Sequence, residues 1–424
     1  MSSSLSAEQL TGWCTLGSSV PTLRLQVFRI TMGNSNDHNS TEGIQEAIQN
    51  NDREKIQQYL DLEKNIPLNI AVTGECGSGK STFVNAFRGI QDGEEGAAPT
   101  GSVETTSEVT PYLHPNYPNV TLWDLPGIGT TNFPAKKYLK LVKIERFDFF
   151  IIISATRFKE NDVMLAKKIQ KMGKKFYFVR SKIDLDLQNQ ERSQRDINAE
   201  RILSQIREDC IQGLQRAGIV SPQVFLVSSF DLQLYDFPLF GETLERELPE
   251  HKRDVLLLVM PNISPEVINK KKAAFHNKIK YWAMLSATVA GVPVPGLSIT
   301  VDVVMLVGVV IQYVLGFGLD IPSLKRLSNR TNVPFNDLTA VIFSPLAATE
   351  ITSDLLLKVI GRFAGTAALI TAEEGSRLIP IFGIPLAMGL SFKSTYNILQ
   401  TILNMLAEDA HRVLNKVLES NTLG

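Results

Sequence analysis

Between residues 67 and 249 short apolar runs alternate with longer stretches whose apolar residues recur three and four apart. The runs are 68–73, 119–124, 147–155, 175–181 and 223–229, each of strand length, and a further pair of strands is expected within 100–122. Helical spacing fills 81–89, 135–145, 160–172, 197–217 and 240–248. Apolar strands separated by helices predict an α/β fold: a mostly parallel sheet covered on both faces, with ligands bound beyond the carboxyl ends of the strands. The polar stretch Gln188–Arg195 reads as a solvated loop. Ahead of the alternation, Ile44, Ala47 and Ile48, then Ile56, Tyr59 and Leu60, predict a helical pair broken near Asn50-Asn51-Asp52.

After Leu248-Pro249-Glu250 the strand pattern stops. Val267, Ile268, Ala274, Ile279 and Trp282 lie at helical spacing among lysines. The stretches 283–301 and 303–318 carry no charge and are divided by Asp302; Pro293 and Pro295 interrupt the first. A third apolar stretch, Leu378–Phe392, is broken by Pro380 and Pro385. Each is at or below the roughly 20 residues that a membrane span needs. Three readings stay open: buried helices of an α domain, a membrane-inserting hairpin, or two spans.

Chemistry enters at the end of the first strand. Gly74-Glu75-Cys76-Gly77-Ser78-Gly79-Lys80-Ser81 is a phosphate loop between a strand and a helix start. Its glycines, with Ser78 and Thr82, let backbone N–H groups converge on phosphate oxygens at a helix N-terminus. Lys80 reaches the β- and γ-phosphates, and the Ser81 hydroxyl ligates Mg²⁺. The next strand ends in Asp124-Leu125-Pro126-Gly127; Asp124 can hold Mg²⁺ through water, and the Gly127 N–H can contact a γ-phosphate. The strand 175–181 runs into Ser181-Lys182-Ile183-Asp184. A carboxylate there accepts from the ring N–H and amino group of guanine, a donor pair adenine lacks, while the Lys182 stem covers the base. Ser228 and Ser229 end the last strand where backbone N–H groups can meet guanine O6. In Thr100-Gly101-Ser102-Val103-Glu104-Thr105-Thr106, Thr106 or Thr105 is a further metal ligand and Glu104 either orders the attacking water or is a solvated loop residue. The residue after Gly127 is Ile128, which cannot orient water, and no arginine stands out as a charge-neutralising finger.

The phosphate loop, the run Thr121–Phe133 and the run Phe147–Phe158 resemble the immunity-related GTPases, the interferon-inducible GTPases, in the class carrying Gly-Lys-Ser and not the regulatory members with Met at the lysine. The resemblance spans roughly 40–280, is most specific in 68–184, and returns in Leu406-Ala407-Glu408-Asp409-Ala410, similar to the family's last helix. It implies a Ras-like P-loop GTPase domain with a mostly parallel sheet, plus an all-α domain built from N- and C-terminal helices. The expected divisions are a disordered leader at 1–39, helices at 40–66, the GTP-binding domain at 67–249 and the C-terminal helical domain at 250–424. It implies GTP and GDP as ligands with Mg²⁺, hydrolysis with Glu104 under suspicion as a catalytic group, and a homodimer or oligomer in the GTP state. It further implies a cytoplasmic protein associated peripherally with intracellular membranes (endoplasmic reticulum, Golgi or pathogen vacuole) in interferon-induced cell-autonomous defence. Members often begin near Met32-Gly33, sometimes with a myristoyl chain, although Asp37 stands where Ser or Thr is preferred. A slow-turnover, GTP-loaded switch acting by partner contact is the alternative.

Composition narrows the rest. A net charge of −1 over 424 residues gives no argument for nucleic acid. Cys14, Cys76 and Cys210 form neither a disulfide framework nor a metal motif and suit a reducing cytosol. The five histidines are expected at the surface or in packing. Residues 1–20 lack the basic start and apolar core of a secretory signal.

Overall fold

A computed structural model describes residues 50, 52–101, 106, 108–128, 138, 142–155, 159–193, 198–289, 297–370 and 392–422. By its contacts the chain divides into residues 1–56 and 57–424. Of the expected N-terminal helical pair, the second helix is α1, Arg53–Lys64. The first, the leader and the Met32-Gly33 dipeptide lie outside the described residues.

β1 (Leu68–Gly74) is followed by α2 (Lys80–Phe87), then by β2 (Thr110–His114) and β3 (Tyr117–Asp124), the pair expected within 100–122. After a 3-10 turn at Ile144–Arg146 come β4 (Phe149–Ser154), α3 (Glu160–Lys171), β5 (Lys175–Arg180), α4 (Ile183–Ser193), α5 (Ala199–Arg216), β6 (Val224–Leu226) and α6 (Phe237–Glu247). Of the helix expected at 135–145, Tyr138 and residues 142–145 are described: Tyr138 is helical, while 142–143 form a turn that leads into a 3-10 helix at Ile144–Arg146. The six strands run in the order β2-β3-β1-β4-β5-β6, and only β2 is antiparallel to its neighbour.

Strand periodicity explains the two layers. Ile70, Val72, Ile151 and Ile153 face one way, onto Phe83 and Phe87 of α2 and Phe237 and Phe240 of α6. Ala71, Phe150 and Ile152 face the other way, onto Leu165 and Ile169 of α3 and Leu214 of α5. Every residue of β4 is buried, as a central strand covered on both faces must be. Each fully buried Phe contributes about 1.5–3 kcal/mol relative to exposure.

Two local expectations change. Gln188–Arg195 is not simply a loop: α4 carries helix through Ser193, while residues 194–197 are not described. Polar composition alone misses that Ile183 is buried, that Leu187 packs on the same core and that Arg180 Nη2 lies 2.5 Å from Asp186 Oδ2. Asp184 and Asp186 in the first turn suit the positive end of a helix. The last strand is also shorter than 223–229, because Ser228 Oγ accepts from the N–H groups of Phe230 and Asp231 and turns the chain.

The remaining helices are α7 (Glu250–Val259), α8 (Pro265–Val289), α9 (Leu297–Gly316), α10 (Ile321–Thr331), α11 (Phe335–Ala340), α12 (Ser353–Ile370) and α13 (Phe392–Thr422). Ile268, Phe275 and Ile279 of α8, Leu306, Val310 and Tyr313 of α9, and Leu399, Leu403 and Leu406 of α13 share one core. Asp409 is fully buried in α13, accepts from the N–H groups of Phe343 and Ser344 at 2.9 Å and pairs with Arg412. It thereby ties the loop after α11 to the last helix. Among the described residues one segment, Val303–Thr331, is long and apolar enough to cross a membrane. Within it Leu306, Val309, Val310, Val314 and Phe317 are core residues, which favours the buried-helix reading there; Val304 and Ile311 are exposed. The stretch 371–391 is not described.

Candidate functional site

The carboxyl ends of β1, β3 and β5 meet at one edge of the sheet, where the chain folds the phosphate loop. Gly74 has φ +143°, a conformation closed to other residues, and a Cβ there would stand 2.1 Å from the Ile153 carbonyl oxygen. Gly77 and Gly79 follow at φ +74° and +89°, and Gly79 is the N-cap of α2. Lys80 is 6% exposed and its Nζ donates to the Glu75 carbonyl at 2.9 Å. The Glu75 carboxylate is clamped by Lys159 Nζ at 2.5 Å and Asn161 Nδ2 at 2.9 Å. Asp162 sets that clamp: it accepts from Ser154 Oγ and from the Lys159 N–H, and burial lifts its carboxyl to about 6.

Ser81 Oγ donates to Asp124 Oδ2 at 2.5 Å, Thr106 Oγ1 donates to the same oxygen at 3.0 Å, and the two hydroxyls are 3.3 Å apart. Asp124 is fully buried; burial pushes its carboxyl up, against the lowering effects of Ser81, Lys80 and Thr106. Its Oδ1 is buried with no hydrogen-bond partner among the described residues. A buried, unpartnered carboxylate oxygen beside two hydroxyls is an oxygen donor set that fits Mg²⁺. Thr105 and Glu104 lie outside the described residues.

Past Asp124 the chain stays on β1: the Leu125 N–H reaches the Val72 carbonyl and the Ile128 N–H the Gly74 carbonyl. Gly127 thereby lies against the phosphate loop, where a Cβ would come 2.9 Å from the Cys76 nitrogen. Ile128 is 3% exposed and packs in the core.

The base-side motif is tied to the same loop. Ser181 Oγ donates to the Ser78 carbonyl at 2.7 Å, and Lys182, at φ +60°, donates from Nζ to the Gly77 carbonyl at 2.9 Å. Asp184 sits half-buried in the first turn of α4, and no protein donor engages its carboxylate among the described residues. Asp231 and Tyr235 are near it: burial raises both, and the Asp184 charge raises them further. Ser228 is buried and its hydroxyl oxygen accepts from two N–H groups of the turn; Ser229 is half-buried. An open cleft over the phosphate loop is lined by Lys80, Ser81, Thr82, Thr106, Gly127 and Lys182 among others; Asp184, Ser228 and Ser229 do not line it. Reading the motifs does not find Lys159 and Asn161, which lie more than eighty residues from the Glu75 they clamp, nor Asp231 and Tyr235, which follow the marked Ser228-Ser229 closely but carry no signal of their own. Ser181 was visible as the first residue of Ser-Lys-x-Asp, with no role attached.

The family model of interferon-inducible GTPase (IIGP) matches residues 38–417. Interferon-inducible GTPase 5 of Rattus norvegicus is 40% identical over 370 residues, 87% of this chain and 79% of that protein. Interferon-gamma-inducible GTPase 10 of Mus musculus is 39% identical over 382 residues, 88% of each chain. Among solved structures, Toc33 of Arabidopsis thaliana with Mg²⁺ and GMPPNP matches 43% of this chain and 79% of its own at 15% identity and a TM-score of 0.29, too distant to carry an argument. With the family model matched over most of its length and a phosphate loop folded at the carboxyl edge of a parallel sheet, the chain belongs to the interferon-inducible GTPases and is a GTPase.

Proposed function

We propose that this GTPase works with Mg²⁺, completes its hydrolytic site by assembling through its nucleotide face, and does so at the cytoplasmic side of intracellular membranes (endoplasmic reticulum, Golgi or pathogen vacuole) in cell-autonomous defence. The observation that carries the assembly is Ile128. Lys80, Ser81, Thr106 and Asp124 converge on one cleft, yet the residue beside Gly127, where a water-orienting side chain would serve, is an isoleucine turned into the core. These residues would hold the triphosphate, and no side chain that would order water stands beside them among the described residues.

In this reading the loop N–H groups and the Lys80 ammonium take up charge on the β- and γ-phosphoryl oxygens as the bond to the leaving oxygen loosens. Ser81, Thr106 and Asp124 would hold Mg²⁺, which when bound supplies further neutralisation between those oxygens. The Gly127 N–H would follow the γ-phosphate, since Gly127 lies against the phosphate loop beside Cys76 and the next residue, Ile128, bonds the Gly74 carbonyl. Glu104, on this chain or across a dimer, is the candidate for ordering water. The packing of Leu306, Val309, Val310, Val314 and Phe317 in the helical core favours peripheral contact over a span at this segment.

Specific turnover measured over about a hundredfold range of protein concentration tests the assembly. It should rise, a non-hydrolysable GTP analogue should drive dimers or larger species, and Glu104→Ala should lower the assembled rate with little change in affinity. A flat rate with monomers throughout would favour the second reading, a slow switch, which the buried Ile128 also suits. Base choice is separately testable. Asp184→Asn should weaken GTP binding by about 10–100-fold, the loss of charge-assisted bonds of about 1.5–3 kcal/mol, and should improve binding of xanthine nucleotide. Unchanged GTP affinity in that variant would remove Asp184 from the base site.

A further inference from the structure

A second cavity lies between the sheet domain and the helical core and shares no lining residue with the nucleotide cleft. Four cations line it: Arg88 just after α2, Lys271 on α8, and Arg326 and Arg330 on α10. No Asp or Glu lines it, although the chain has 43 basic and 44 acidic residues. Among the described residues none of the four forms an ion pair with a carboxylate. Arg88 donates to the carbonyls of Leu113 and Gly96, and Lys271, 2% exposed, donates to those of Met260 and Gly316 at 2.7 and 2.9 Å. Arg326 donates to Ser323 Oγ. Half-buried Arg330 has no hydrogen-bond or ion-pair partner among the described residues.

Like charges gathered out of water are costly unless something of opposite sign joins them. The cost is visible in neighbouring groups. Burial brings Lys271 down to about 7 and lowers Arg330. His114 is held down near 3 by burial and then by Lys271, Arg88 and Arg326, so it stays neutral and its Nδ1 accepts from the Asn116 N–H. Burial is the cause at Lys271 and Arg330, whereas at His114 the three cations add to it; arginine keeps its charge throughout. A guanidinium fork matches the oxygens of a phosphate.

We propose that this cavity is a second anion site, separate from the nucleotide site, which takes a small phosphate-bearing molecule through Arg326, Arg330 and the Lys271 ammonium. The same chemistry describes a soluble phosphorylated polyol and a phosphorylated lipid headgroup. The full chain is loaded with GDP, so that the phosphate loop is filled, and titrated calorimetrically with inositol hexakisphosphate. One equivalent should bind and raise the melting temperature, and Arg330→Gln and Arg326→Gln should each weaken binding at least about tenfold, while Arg330→Lys, which keeps the charge and loses the fork, falls between. Phosphatidylcholine vesicles with and without a phosphatidylinositol phosphate distinguish the sources. Capture by the phosphorylated vesicles, competed by the soluble probe, assigns a lipid headgroup; binding of the soluble probe alone assigns a free phosphate ester. Unaltered probe affinity in both glutamine variants, or no binding of the probe to the GDP-loaded chain, would overturn the proposal.

Discussion

Lys80→Ala is expected to reduce GTP turnover by on the order of 10²–10³-fold at saturating nucleotide while the protein still folds. Lys80 opens α2, its ammonium is nearly excluded from water, and it reaches the Glu75 carbonyl within the loop it serves. Only charge that grows on the phosphoryl oxygens draws more from that ammonium in the transition state than in the ground state, so the loss falls on the chemical step. Binding should weaken as well, by about 1.5–3 kcal/mol for one charge-assisted contact. The fold should survive because alanine is the best helix former and the Glu75 side chain keeps its clamp on Lys159 and Asn161. Single-turnover hydrolysis, nucleotide affinity and a thermal melt on one preparation separate these effects. A folded variant with native turnover would mean that Lys80 is not at the reacting phosphate.

Much of this architecture was legible because its signals are local. A phosphate loop sits within eight consecutive residues, and the three GTP-binding motifs each follow an apolar strand, so the order of strands alone brings them to one edge. Fully buried β4 was readable as a run of Phe and Ile without alternation. What stayed hidden depends on partners distant in sequence. Lys159 and Asn161 act on Glu75 from more than eighty residues away, and Ser181 anchors to Ser78 across 103 residues. Gln188–Arg195 reads as loop because that part of α4 is continuously polar, while the ties of the helix, Ile183 and Leu187 in the core and Asp186 on Arg180, all lie before it. The uncharged stretch 303–318 left three readings open, since a core helix and a membrane helix have the same composition until its partners on α8 and α13 are known. Asp409 stood inside a motif that marked a family and suggested no role; two backbone N–H groups and Arg412 supply one.

Gly74→Ala is expected to be the most damaging single substitution in the sheet, lowering stability by more than about 4 kcal/mol. Two independent penalties coincide. A φ of +143° lies where side-chain-bearing residues are rarely found, and the new Cβ would meet the Ile153 carbonyl oxygen at 2.1 Å. That oxygen belongs to the strand paired with β1, Gly74 against Ile153, and β4 is buried along its whole length, so neither strand can move aside without opening the ladder. Against a total stability of about 5–15 kcal/mol, little folded protein should accumulate. Gly77→Ala makes the control. Its φ of +74° is also left-handed, but nothing stands within 4 Å of the added carbon, so the cost should stay near the roughly 1–2 kcal/mol of the left-handed conformation. Gly127→Ala should fall between the two, because its clash at 2.9–3.0 Å is with Cys76 in an exposed turn of the phosphate loop. Urea unfolding of the three variants beside the native chain measures the order. If Gly74→Ala unfolds within about 1 kcal/mol of Gly77→Ala, then the end of β1 yields more readily than a centrally buried strand should, and the loop is not held as rigidly as the site's geometry requires.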